Sequence, residues 1–359
     1  MPDYDALLVV SFGGPEGPAD VMPFLRNVTA GRGVPDSRLE RVAEHYYRFG
    51  GVSPINQQCR DLILAVQKDF EAAGVDLPVY WGNRNWQPYL ADTLETMAAD
   101  GVGRALAFVT SAYSSYSSCR QYLEDIERAR AEVGAGVGGR APVVDKIWPY
   151  YGHPAFAECF TAAATAALDS LPASVRDQAD LVFTAHSIPD SMAERSGPSG
   201  RGAAGRAAIS QQQSPSGRGG AYPAQLAEVA GRVAAGLGGR PWRLAYSSRS
   251  GPPAQPWLEP DVGDCLTELA EAGSRGVVVV PIGFVSDHME VKFDLDIEAA
   301  ETAAKLGLPF ARAATPGTSP RFVAMITDLV RQWQAGPPPG GGFCTPGCCV
   351  PLARPQAAR

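Results

Sequence analysis

The sequence predicts an α/β protein built from two similar halves, each a parallel sheet covered by helices, with a cleft between them. Three observations lead there. Short, near-continuous apolar runs alternate with helical patterns, the mark of parallel strands covered on both faces. The alternation occurs once before about residue 150 and again after it. The chain has 359 residues, too many for one ordinary domain and suited to two.

The elements follow in order. The apolar run Ala6–Phe12 ends at Gly13-Gly14-Pro15, a strand meeting a turn. Helical patterns then cover Ser37–Tyr47 and Cys59–Ala73. Val79–Trp81 reads as a strand, Ala91–Ala99 as a helix and Arg104–Thr110 as a strand. A hydroxyl-rich stretch, Tyr113–Cys119, leads into a helix at Ser118–Ala131, with Ser117 or Ser118 as its N-cap. The second half repeats the pattern: helix Pro154–Leu168, strand Leu181–Ala185, helix Ala224–Ala235, strand Trp242–Tyr246, helix Cys265–Ala272 and strand Val277–Pro281. Helix Pro320–Ala335 closes it. The expected division is 1–150 and 151–319, with the helix at 320–335 completing the first domain. Residues 196–220, rich in Gly, Ser, Arg and Gln, lack apolar anchors and read as a mobile insertion. The Pro/Gly run Gly336–Gly342 reads as a linker, and 336–359 as a cysteine-rich tail.

Composition narrows the function. Hydrophobic content of 45% with 19% charged residues is globular, and a net charge of −7 without a basic run disfavours nucleic-acid binding. The longest apolar run, Val277–Val285, is far short of a membrane span. Asp3 and Asp5 precede the first strand where a signal peptide would be basic, so a cytoplasmic protein with reduced cysteines is expected.

The polar groups gather after strands, where such folds bind ligands. His186 follows one buried strand; its imidazole can ligate a divalent metal or accept a proton near neutrality, or simply bond the backbone. Beyond the strand at Val277, the segment Pro281–Glu298 places Glu290, Asp294 and Glu298 four residues apart, on one helical face. Like charges at that spacing oppose the helix, so a row of them suggests guiding a cation or moving protons; the alternative is a solvated face. His288 is a weaker candidate, because residues two apart on a helix do not share a face, and His45 and His153 read as structural. Three of the seven cysteines, Cys344, Cys348 and Cys349, cluster in the tail. They suit an iron–sulfur cluster or zinc, with a fourth thiolate from Cys59, Cys119, Cys159 or Cys265. Dinucleotide, P-loop and Gly-x-Ser-x-Gly spacings are not met.

Several stretches together resemble the ferrochelatases, most closely the actinobacterial branch that metallates coproporphyrin III. They are Leu7–Pro15, Gly50–Asn56, Thr110–Tyr116, Phe183–Pro189, Ser248–Pro253 with Pro256–Asp261, and Pro281–Glu298. The resemblance implies two Rossmann-like, chelatase-type domains with a porphyrin cleft, and insertion of Fe(II) into coproporphyrin III to form coprohaem in haem biosynthesis. It implies that His186 and Glu290 face each other across the porphyrin, and that Asp294 and Glu298 lead iron inward. Ser53 and Tyr122 match positions that resemble propionate contacts in relatives, and Arg26 is expected to add a charge-assisted bond there. Phe12 stands where some relatives carry a Tyr that ligates product iron. A [2Fe-2S] cluster on Cys159, Cys344, Cys348 and Cys349 is implied as a cofactor, and transient handover to the next haem-pathway enzyme as a partnership. The alternatives are protoporphyrin IX as substrate, a non-catalytic haem or iron–sulfur sensor, and a cobalt or nickel chelatase. Charges at Asp36, Arg38, Glu40, Arg41 and Glu44 predict no membrane insertion of the stretch 34–47.

Overall fold

In the computed structural model, residues 3–136, 140–197, 220–250, 254–336 and 347–351 are described. Most of the 196–220 insertion, most of the tail and Cys344 lie outside them. The elements are β1 (Ala6–Ser11), α1 (Val21–Val28), α2 (Asp36–Tyr47), α3 (Ile55–Ala73), β2 (Val79–Asn83), α4 (Leu90–Ala99), β3 (Arg104–Val109), α5 (Gln121–Ala135) and β4 (Val143–Lys146). They continue with α6 (Pro154–Ser170), α7 (Ala173–Arg176), β5 (Asp180–His186), α8 (Asp190–Glu194), α9 (Ala221–Gly236), β6 (Trp242–Ser247), α10 (Val262–Glu271) and β7 (Val277–Val280). A π-helix (Val291–Ala299), α11 (Ala300–Lys305), β8 (Phe310–Arg312) and α12 (Pro320–Gln334) complete the described fold.

The strands form two four-stranded parallel sheets, ordered β2-β1-β3-β4 and β6-β5-β7-β8. The second order repeats the first, so the doubled alternation of the sequence is a doubled topology. In each sheet the connections run one way from the founding strand and then the other. The crevice at that reversal, beyond the strand C-termini, is where open α/β sheets bind ligands. In the second sheet it lies between β5, ending at His186, and β7, followed by Glu290.

The central strands bury side chains on both faces. On β1, Leu7 and Val9 enter one apolar cluster and Ala6, Leu8 and Val10 another. The cluster holding Leu7 and Val9 also holds Phe183 of β5 and Val280 of β7, so one core spans both sheets. Helix α12 packs on α3 and α6. Thr327 donates to Asp69, and Arg331 to the Ala73 carbonyl, at the end of α3. Between the halves the hydroxyl-rich loop bonds across. The Tyr113 hydroxyl donates to the Ile282 carbonyl at 2.9 Å, and Gln225 both donates to the Ser114 hydroxyl and accepts from its amide. Those hydroxyls therefore tie the halves together rather than awaiting a ligand. The cap of the following helical segment is Ser115, which accepts from the Ser118 amide at 3.0 Å; Ser117 and Ser118 are not the cap.

Gly283 sets the spacing at the crevice. Its amide donates to the Thr184 carbonyl at 3.0 Å, and a Cβ there would stand 2.6 Å from Ala185 backbone and side chain. Gly283→Ala is thus expected to push the segment carrying Glu290 away from β5. Overpacking should cost about 1–3 kcal/mol. Urea denaturation measures that cost, and turnover should drop with it, although residue 283 carries no chemistry.

Candidate active site

His186 closes β5, and its ring is held from two directions. Its Nδ1 donates to the Ser187 carbonyl, an atom that can only accept. Nε2 is therefore the atom presented to the crevice. The Tyr222 hydroxyl donates to the His186 carbonyl at 3.0 Å, fixing the backbone beneath it. Nε2 stands 3.3 Å from Oε1 of Glu290, and each side chain is about one-third exposed, at 33% and 38%. The other Glu290 oxygen lies 3.6 Å from Nδ1 of His288. His288 thus joins the site, contrary to its sequence ranking. The reason is local: helical structure begins only at Met289, so the two-residue helix rule does not govern 288 and 290.

Burial works against charge on His186, but the adjacent Glu290 carboxylate outweighs it and raises the imidazole well above the ordinary histidine range. Burial likewise works against charge on Glu290, and His186 and His288 outweigh it and hold its carboxyl low. The pair rests as imidazolium and carboxylate. Asp294, one turn on, differs. Burial raises its carboxyl to about 7; the Glu290 and Glu298 charges add to that rise, and the bond donated by Ser248 opposes it. Glu298 is exposed, and its carboxyl too is raised, chiefly by burial and the Asp261 charge.

The three carboxylates sit on or just before a π-helix, not the α-helix their spacing predicted. Such wide turns are frequent at functional sites. Past Asp294, a pocket of about 320 Å³ is lined by Ser248, Asp261, Asp294, Glu298, Glu301 and Lys305. The acidic row therefore leads from this pocket toward Glu290. Two residues of α2 approach from the first half: His45 stacks on Phe293 of the π-helix at 3.6 Å, and Tyr46 senses the charges of Glu290 and Asp294. Sequence reasoning missed His45, Tyr46, Ser248 and Asp261 as neighbours of the site. Only the acidic spacing hinted at this wall, and nothing in the sequence linked α2 to it.

The four residues expected at the substrate propionates and ring edge differ in exposure. Ser53 is buried beneath Gly14, and Tyr122 is buried under the Arg84 guanidinium, 4.4 Å from its ring. Arg26 is exposed and paired with Asp36 at 2.8 Å. Phe12 is 36% exposed at the mouth of β1, edge-on to Phe24.

Among the described thiols, Cys349 lies near Cys348 and Cys119, while Cys159 has other neighbours. Cys159 on α6 faces the Ser319 hydroxyl at 3.8 Å. Cys349 is bonded to the backbone of Gly197, accepting from its amide at 3.2 Å and donating its own amide to the Gly197 carbonyl. Among the described residues no three Cys, His, Asp or Glu side chains form a metal-holding group. The expected ligand set Cys159, Cys344, Cys348 and Cys349 is not assembled by its described members, because the tail seats on the segment after α8 and Cys159 lies against the start of α12.

Comparison with known proteins agrees with this geometry. The family model described as ferrochelatase matches residues 4–334. The coproporphyrin III ferrochelatase of Nocardia farcinica is 51% identical, with 99% of each chain covered. That of Frankia alni is 53% identical, over 97% of this chain and 87% of its own. A protein of Rhodopirellula baltica named ferrochelatase is 50% identical, over 92% and 87%. Among solved structures, the sirohydrochlorin chelatase SirB from Bacillus subtilis in complex with cobalt aligns over 95% of this chain and 99% of its own, with TM-score 0.51 and 11% identity, a likeness of fold. With a full-length match above a half-identical sequence and a histidine–carboxylate pair at the sheet's switch point, the chain belongs to the ferrochelatase family.

Proposed function

We propose that this enzyme inserts Fe(II) into coproporphyrin III, with His186 and Glu290 as the groups that meet the macrocycle and the metal. The observation that carries the reading is that His186 Nε2 and Glu290 Oε1 both reach the crevice; they stand 3.3 Å apart, so a macrocycle between them has to part the pair. Full-length identity near one half to coproporphyrin III ferrochelatases supports the substrate.

The reaction exchanges one Fe(II) for two pyrrole protons. Its first demand is a base that is free when the metal arrives. At rest His186 holds its proton because Glu290 is charged beside it. A cation reaching Glu290 neutralises that support, so the imidazole gives up its proton and Nε2 becomes a base facing the ring. The proton needs an acceptor close to neutrality. Asp294, with its carboxyl at about 7, is suited to pass it to the pocket beyond. The same carboxylates draw Fe(II) inward by charge. Phe12 and Arg26 are the exposed members of the four expected contacts. They are the ones this reading assigns to the ring edge and to a propionate, the latter by a charge-assisted bond. The [2Fe-2S] cluster stays outside this reading because the described residues form no metal-holding group of side chains; visible absorption and iron-to-sulfide analysis of the purified protein decide it. No helix among the described residues is long and apolar enough to cross a membrane.

The test is an anaerobic assay with Fe(II) and each porphyrin, read by the Soret shift. Faster metallation of coproporphyrin III is expected; preference for protoporphyrin IX, or no turnover with either, would overturn the proposal. A pH profile adds a sharper check. Below about 7 Asp294 is neutral and above it is charged, so kcat/KM for Fe(II) should rise through that value. Asp294→Asn should flatten the rise. An acid limb unchanged in this variant would remove Asp294 from the proton path.

A further inference from the structure

Behind the acidic row, on the side away from His186, the π-helix carries a second set of charges. Arg312, at the end of β8, is 15% exposed and forks onto two carboxylates at once. Its Nε and Nη2 donate to the two oxygens of Asp296 at 2.6 and 3.0 Å. Its Nη1 and Nη2 donate to the two oxygens of Asp287, both at 3.3 Å. Asp287 lies in the loop three residues before Glu290, and Asp296 lies within the π-helix beyond it. Each carboxylate has a further donor: Thr315 to Asp287 at 2.9 Å, and Lys292 to Asp296 at 2.6 Å. The Asp287 amide also donates to Gln58 of α3 at 2.7 Å, linking this loop to the other half.

We infer that Arg312 is a positioning residue for metal insertion: it spans the loop and the π-helix on either side of Glu290 and so holds that carboxylate opposite His186. A second consequence is electrostatic. Arg312 and Lys292 satisfy Asp287 and Asp296, so within the segment 287–298 the carboxylates left for an incoming cation are those of Glu290, Asp294 and Glu298. The geometry demands a guanidinium. Two bidentate forks at fixed spacing suit its rigid donor plane, whereas an ammonium offers one compact charge.

The inference rests on the proposed reaction only for its activity readout. The decisive variant is Arg312→Lys, in which the charge remains, and Thr315 and Lys292 still serve the two carboxylates. In the anaerobic Fe(II)–coproporphyrin assay, kcat is expected to fall on the order of a hundredfold, as a small misplacement of a reacting group can cause. Porphyrin affinity, read by fluorescence quenching, should stay at the wild-type value. Hydrogen exchange by mass spectrometry should show faster amide exchange across 284–299. Wild-type kcat would overturn the inference, as would loss of porphyrin binding in step with kcat, since that marks a residue holding the fold. If wild-type protein metallates neither porphyrin, the reaction assignment fails. The exchange experiment then decides the positioning role alone, and unchanged exchange across 284–299 would overturn it.

Discussion

Glu290→Gln and His186→Ala are each expected to lower kcat for iron insertion by roughly 10²–10⁴, the range for losing a positioned acid–base group. They should do so by different routes. His186→Ala removes the ring nitrogen that stands 3.3 Å from the Glu290 carboxylate, and porphyrin should still bind. Glu290→Gln keeps the shape but removes the charge. With that support gone, burial dominates at His186, and its imidazole should fall back toward the ordinary histidine range. NMR titration of the ring would show this directly. Stability follows with a definite sign. The imidazole is raised in the folded state, so its contribution is whole below the ordinary histidine value and is lost as pH climbs through the folded one. The Glu290 carboxyl is lowered, so its contribution is whole above the ordinary carboxylate value and is lost as pH falls through the folded one. Wild-type stability relative to Glu290→Gln should therefore peak in the mildly acidic window between those ordinary values. Near-wild-type turnover in both variants would refute the assigned roles.

What the sequence disclosed follows from burial. Strands β1, β3, β5 and β7 were legible because their apolar runs suit central strands of a covered sheet, and the edge strands β2 and β6 were legible from shorter apolar runs. The edge strands β4 and β8 were not. They are short, they carry Asp145, Lys146 and Arg312, and Val143 is 41% exposed, so their pattern is that of loops. Helix α1 was missed because Pro23 falls in its first turn, a position where proline is tolerated. At the site, His186 and the acidic row were legible because polar groups just past buried strands have few structural reasons to be there. The π-helix was not, since a four-residue spacing fits either helix. His45, Tyr46 and Ser248 reach the site through the packing of α2 and the loop after β6, contacts that no local spacing encodes. The expectation for Cys159 rested on thiol count and linker length, which say that the tail could reach α6, not that it does.

Arg84→Met is expected to destabilise the fold by about 3–5 kcal/mol, the cost of breaking a buried ion pair by removing one partner. Arg84 and Asp125 pair at 2.5 Å with side chains only 6% and 8% exposed. Without Arg84, Asp125 keeps only Arg128, whose side chain is 64% exposed and satisfies it from the surface. The guanidinium also lies 4.4 Å over Tyr122 and 5.8 Å over Phe12, so it joins the core of the first half to the mouth of β1. The two functions separate in Arg84→Met/Asp125→Leu. Replacing both charges by apolar groups removes the stranded carboxylate, and much of the lost stability should return in urea denaturation. Phe12, still without the cation over its ring, should stay misplaced, so KM for porphyrin should remain elevated in a protein that is stable again. If KM recovered together with stability, Arg84 would be a folding residue only, and Phe12 would not depend on it.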